Sequence, residues 1–151
     1  MSFTNLVKPV NSVDRLTLGP FAAGADWTFT VQKLQRILLG FATLTTSAAV
    51  GNRNIGVQYF DGVPTKFFEV VNQSAVTASS TQKVWFAASG SNPGTFSVTS
   101  ATVPQGIILP KLVLLPGYKY VGHVYGMDIA DQWSNVELFV ETLDSLPPYT
   151  V

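Results

Sequence analysis

The sequence predicts an all-β chain: a single-domain antiparallel β-sandwich, jelly-roll-like, with extended N- and C-terminal arms. Apolar and polar residues alternate with a period of two along segment after segment, the mark of strands with one dry face. Gly, Pro and Asn turn signals interrupt these segments at short, regular spacing. No stretch holds a helical period well enough to compete. Eight to ten short strands so punctuated indicate two packed sheets rather than parallel crossovers. The 151 residues suffice for one core, and no linker or internal repeat divides them. The expected boundaries are an N-terminal arm over residues 1–12, the sandwich over 13–143 and a C-terminal tail over 144–151.

Met1 to Ser12 carries few structural signals, and Pro9 with the following Asn-Ser reads as an arm. Arg15 to Leu18 forms a short strand stopped by Gly19-Pro20. Trp27, Phe29 and Val31 then alternate with Thr28, Thr30 and Gln32. Arg36 to Thr46 is the most hydrophobic run, with Ile37, Leu39, Phe41 and Thr43 on one face and Leu38, Gly40, Ala42 and Leu44 on the other. Apolar residues on both faces suit a central strand, or one whose outer face meets another subunit. Gly40 and the β-branched Thr43, Thr45 and Thr46 argue against the competing helix.

Asn54 to Tyr59 alternates again, and Asp61-Gly62 turns it into a hairpin with Thr65 to Val71. Thr81 to Ala87 follows a polar link. Ser89 to Gly94 is a loop, and Phe96 to Val103 a further strand before a Pro-Gln-Gly turn. The closing block, Ile108 to Leu143, supplies Leu112 to Leu115, Lys119 to Tyr125 and Asn135 to Thr142. In the last of these Val136, Leu138 and Val140 face the core, while Phe139 stands between the outward Glu137 and Glu141. That aromatic residue is the exception to the strand's pattern and a natural place for a partner.

Composition narrows function by exclusion. Charged residues are 12% of the chain, about half the usual ~25%. Nine basic and nine acidic residues cancel with the His neutral. Neither a nucleic-acid footprint nor a polybasic membrane patch is expected. Little repulsion keeps copies apart, which points to self-association. There is no cysteine, hence no disulfide framework or thiolate site. No secretory signal and no apolar run of membrane-spanning length is visible, so synthesis in the cytoplasm is expected.

Candidate chemistry is sparse. His123 lies mid-strand with Lys119 and Val121 on its face, and no nucleophile elbow accompanies it. Asp128 and Asp131 sit three apart in a connector, too few oxygens for calcium. A turn in which Asp131 accepts backbone N–H bonds fits better, with Trp133 sealing the end of the sandwich. Tyr118, Tyr120 and Tyr125 could stack on sugars, so glycan binding stays as an alternative. No cofactor, metal or catalytic residue is expected.

Two stretches carry a family resemblance. RILLGFATLTTSAAVGNR, from Arg36 to Arg53, resembles the early core strand of small virion proteins of tailed bacteriophages. LLPGYKYVGHVYGMDIADQWSNVELFVE, from Leu114 to Glu141, resembles their closing hairpin. Together they cover about a third of the chain. The resemblance implies a non-enzymatic structural protein made in a bacterial cytoplasm and built into the virion. Capsid decoration (cement) proteins, head fibres and tail components all fit, decoration by a homotrimer bound to the major capsid protein being favoured. The alternative is a tail or head-fibre module that binds host surface glycans. The residues expected at subunit or partner contacts are Phe3 and Leu6 on the arm, Leu38 and Leu44 on the two-faced strand, Phe60 and Phe139.

Overall fold

The computed structural model describes residues 12–89 and 105–143. The alternating segments become strands: β1 (Ser12–Leu18), β2 (Trp27–Thr30), β3 (Gln35–Thr45), β4 (Asn54–Phe60), β5 (Lys66–Val71), β6 (Thr81–Ala88), β7 (Gln105–Leu109), β8 (Lys119–Tyr125) and β9 (Gln132–Thr142). Among the described residues there is no helix. The strands form a five-stranded sheet of order β1-β9-β3-β6-β7 and a four-stranded sheet of order β2-β8-β4-β5, an arrangement consistent with a β-sandwich. The antiparallel pairs are nested: β4 with β5 innermost, then β3 with β6, β2 with β8, and β1 with β9. The innermost pair is the hairpin expected at Asp61-Gly62. Its turn is closed by Thr65 N–H, which donates to Asp61 Oδ1 at 3.1 Å.

One pairing departs from the antiparallel expectation. β7 lies parallel to β6, with Phe86 opposite Ile107 and Ala88 opposite Leu109. Parallel neighbours need a crossover connection, and the chain between Ala88 and Gln105 is long enough to make one. The turn read at Pro104-Gln105-Gly106 is thus replaced by a strand beginning at Gln105. Leu112 to Leu115 forms no strand of its own; Leu114 makes a single bridge to Gln35 and is 1% exposed. Residues 1–11 of the expected N-terminal arm, the C-terminal tail, most of the Ser89 to Gly94 loop and the strand expected over Phe96 to Val103 lie outside the described residues, while Ser12 belongs to β1.

The inward faces meet in one cluster. β3, β6, β7 and β9 contribute Ile37, Leu44, Phe86, Ile107, Leu138 and Val140, and β2, β4 and β8 contribute Trp27, Phe29, Ile55, Val57, Tyr59 and Tyr120. Burying a large aliphatic side chain contributes roughly 1.5–3 kcal/mol. The Tyr59 and Tyr120 hydroxyls are driven upward in pKa, chiefly by desolvation. Trp27 fits because its cross-strand partner is Gly122: a Cβ there would come within 1.9 Å of the indole.

Two bulges keep the core face continuous. Between Ile37 and Leu39 the register against β9 slips by one residue, because Ile37 opposes Val140 while Leu39 opposes Phe139. The extra residue, Leu38, turns Ile37 inward to join Gly40, Ala42 and Leu44. Strict alternation sets Ile37 on the face opposite to Gly40, Ala42 and Leu44. A second shift on β9 centres on Asn135, whose φ of 49° is left-handed, and it lets Trp133 and Val136 both point inward at 1% and 0% exposure.

At one end of the molecule a buried ion pair ties the loops together. Arg53 and Asp131, with side chains 1% and 0% exposed, meet at 2.9 Å from Nε to Oδ2, and Arg53 Nη2 also donates to Oδ1 at 3.2 Å. Asp131 further accepts from the backbone N–H groups of Ser47 (2.7 Å) and Asp128 (2.8 Å). Arg53 Nη1 donates to the carbonyls of Ala49 and Gly51. Burial alone would raise the Asp131 carboxyl; Arg53 and the N–H donors outweigh it and hold it at about 2. The turn role expected of Asp131 is present, and its cation is Arg53.

Candidate functional site

The feature that stands out is the outer face of the five-stranded sheet. Pairing places Phe139 of β9 beside Leu39 of β3, Leu39 beside Ala87 of β6, and Ala87 beside Ile108 of β7. The next row runs from Glu137 through Phe41 and Trp85 to Gly106. Trp85 lies across Gly106, where an added Cβ would come within 2.2 Å of the ring. Leu38, Leu39, Phe41, Trp85 and Phe139 are half-buried, while Ile108 and Val13 are exposed at 53% and 54%. A stripe of large apolar side chains thus crosses the sheet on the side away from the core.

Two ion pairs stand on this face. Arg15 on β1 reaches Glu137 at 2.7 Å, and Arg36 on β3 reaches Glu141 at 2.6 Å. The two pairs flank Phe139. Glu137, through its hydrogen bond and its charge, raises the pKa of the Arg15 guanidinium. Toward the other end of β3 and β6 the face turns polar and exposed, with Thr45, Thr81 and Lys83. An apolar centre with a charged and polar rim is the usual anatomy of a protein–protein contact.

The outer face of the four-stranded sheet has a different character. His123 Nδ1 and Asp26 Oδ2 are 2.6 Å apart, each side chain 30% exposed. The His123 ring meets Tyr125 edge-on at 4.6 Å. The Tyr125 hydroxyl donates to Glu69 and accepts from Gln58 Nε2 at 3.0 Å, and Lys66 Nζ closes on Glu69 at 2.7 Å. Hydrogen bonds from Lys66, then Tyr125, lower the Glu69 carboxyl below its usual range. Lys66 and Glu69 come together because a register shift between Tyr59 and Phe60 leaves Phe67 as the extra residue of β5. The row is largely satisfied internally.

A groove of about 370 Å³ lies where β1 ends and β9 begins, lined by Leu18, Pro20, Phe21, Trp133 and polar neighbours such as Asn135. None of the described residues that line it is titratable. Among the described residues no group of three His, Asp or Glu side chains is placed to hold a metal.

The expected contact residues distribute unevenly. Phe139 and Leu38 belong to the β9 and β3 part of the apolar stripe. Phe60, half-buried at the end of β4, opposes Lys66 and Lys119 on the other sheet. Leu44 is 0% exposed; its side chain is spent on the chain's own core and has no surface for a partner. Phe3 and Leu6 lie outside the described residues. Of the three tyrosines read as sugar platforms, Tyr120 is 1% exposed and Tyr118 packs against the core, leaving Tyr125. Sequence reasoning missed Arg15 as a neighbour of Phe139, and Trp85 and Ile108 as members of the same face, because strands far apart in the chain bring them there. Compared with known proteins, the chain matches no family model, no curated protein and no solved structure.

Proposed function

We propose that this chain is a non-enzymatic structural protein of a tailed-phage particle, a capsid decoration (cement) protein that stabilises the shell through oligomeric contacts. The observation that carries the reading is the apolar outer face of the five-stranded sheet, with two ion pairs beside Phe139. A face of that composition gains free energy by leaving water against another protein. The nested pairing of β1 with β9, β2 with β8, β3 with β6 and β4 with β5 supports a jelly roll with β7 added at one edge. That architecture recurs in viral capsid proteins and in lectins, and fold alone does not choose between them. The resemblance of Arg36–Arg53 and Leu114–Glu141 to phage virion proteins favours the first. In this reading the protein is made in the bacterial cytoplasm, assembles as a homo-oligomer, a trimer being favoured, and binds the major capsid protein. Many weak contacts repeated over a shell add up to firm attachment.

Co-sedimentation with DNA-free shells of the phage that encodes the chain tests this. The expected outcome is saturable binding and a rise in the shell's melting temperature. Shells that neither bind the protein nor gain stability overturn the reading.

A second reading, a glycan-binding tail or head-fibre module, is favoured by one observation: Tyr125, His123 and Asp26 form a half-buried aromatic and polar row on the opposite sheet. It predicts a hit on a glycan array that Tyr125→Ala removes.

A further inference from the structure

We propose that the groove between the end of β1 and the start of β9 binds an uncharged saccharide, with Trp133 as its floor and Phe21 as its wall. This site stands independently of shell binding and of the Tyr125 row on the other sheet.

The local backbone builds the groove. A regular strand turns only every second side chain to one side, yet Gln132, Trp133, Ser134 and Asn135 all line this one. The bulge at Asn135, with its left-handed φ of 49°, breaks the alternation and lets β9 present consecutive residues. Bulges re-aim side chains in this way next to functional sites. Across the groove the chain leaves β1 through Leu18, Gly19 and Pro20, and Phe21 returns half-buried against the core. Gly19 makes room for that return, since a Cβ there would come within 3.0 Å of the Phe21 ring. Gln132 Nε2 donates to the Phe21 carbonyl at 3.1 Å and fastens the wall to β9.

The lining selects the ligand. Because none of the described residues that line the groove is titratable, a charged ligand would lose hydration there and gain no countercharge. Leu18, Pro20, Phe21 and Trp133 supply apolar surface, and hydroxyl and amide groups stand beside it. No side-chain hydrogen bond engages Thr17, Ser134 or Asn135 among the described residues. Each therefore has donors and acceptors to give to a ligand. Trp133 is 1% exposed, and its indole N–H has no partner among the described residues, where a buried indole ordinarily finds one. A pyranose ring matches this mixture: its C–H face suits an apolar wall, and its hydroxyls both donate and accept. The volume of about 370 Å³ falls at the lower end of the roughly 300–1,000 Å³ of small-molecule sites. It suits a small saccharide rather than a folded partner.

Saturation-transfer NMR and titration with the full chain test the proposal. The probes are neutral methyl hexosides and N-acetylhexosaminides, with methyl glucuronide as the charged control. Asn135→Gly removes the amide and keeps the left-handed backbone, and Thr17→Val removes an exposed hydroxyl at nearly constant shape. Circular dichroism and melting temperature confirm that each variant is folded. The expected result is a neutral glycoside bound with a millimolar dissociation constant, raised about fivefold in each groove variant and unchanged in Tyr125→Ala. The glucuronide is expected to bind more weakly. No neutral glycoside bound at tens of millimolar, binding indifferent to both groove variants, equal binding of the glucuronide, or binding lost in Tyr125→Ala instead overturns the proposal. Shell co-sedimentation is read apart from this. Shells that bind a chain with no sugar affinity sink the groove and leave the structural role standing, whereas sugar binding without shell binding does the reverse.

Discussion

At the scale of single residues, Asp131 shows how a chain poor in charge uses the little it has. Its carboxylate receives Arg53 and two backbone N–H groups while fully buried. Removing one partner leaves the other charge buried without compensation, at a cost of about 3–5 kcal/mol. Asp131→Asn is therefore expected to lower the free energy of unfolding in urea by that order. The pH dependence has a definite sign. The carboxyl stands at about 2 in the fold against 3.8 for a free group. Its contribution is complete above pH ~4 and is lost as pH falls from there toward 2. Urea unfolding of the wild type at pH 6 and pH 3 should show that loss, and Asp131→Asn should show a shallower one; an identical slope in the variant would count against the assignment. The turn role of Asp131 was legible from its place in the connector. Arg53 was not, because nothing local ties a residue after Gly51-Asn52 to one in the β8–β9 connector.

At the scale of elements, the bulges decide which residues face out. Asn135 is left-handed at φ 49° and exposed, so a β-branched side chain there is strained by about 1–2 kcal/mol. Asn135→Val should be destabilised by that amount in chemical denaturation, while Asn135→Gly should stay near the wild type. Equal losses in both would show that the side chain, not the backbone, matters. The strands β4 and β8 were legible almost to the residue, since both alternate without interruption. β7 was not. Its five residues follow turn-like Pro104, and its apolar Ile107, Ile108 and Leu109 give no sign of a parallel neighbour.

At the scale of the whole molecule, two sheets share one core and differ in what they turn outward. The four-stranded sheet shows a polar row whose groups largely satisfy each other. The five-stranded sheet shows an apolar stripe with two ion pairs beside Phe139. Association through the second face should depend little on salt, because the rim pairs are already closed within each chain and the centre is uncharged. Sedimentation in about 0.5 M NaCl should give the same oligomer as in low salt. Dissociation by salt alone would place the contact on charged groups instead.

The alternation of apolar and polar residues by itself determined that the chain is all-β, where most strands run, and that Phe139 breaks the pattern of the last one. These are local properties, since a strand's two faces are written at every second residue. Tertiary structure decided the rest. The bulge at Leu38 sends Ile37 inward, against strict alternation, and Leu44 is absorbed into the core. The crossover to β7 sets Ile108 beside the stripe, and folding joins Arg53 to Asp131. Each depends on which distant strands become neighbours, and that is settled by the closing of one core rather than by any stretch of sequence alone.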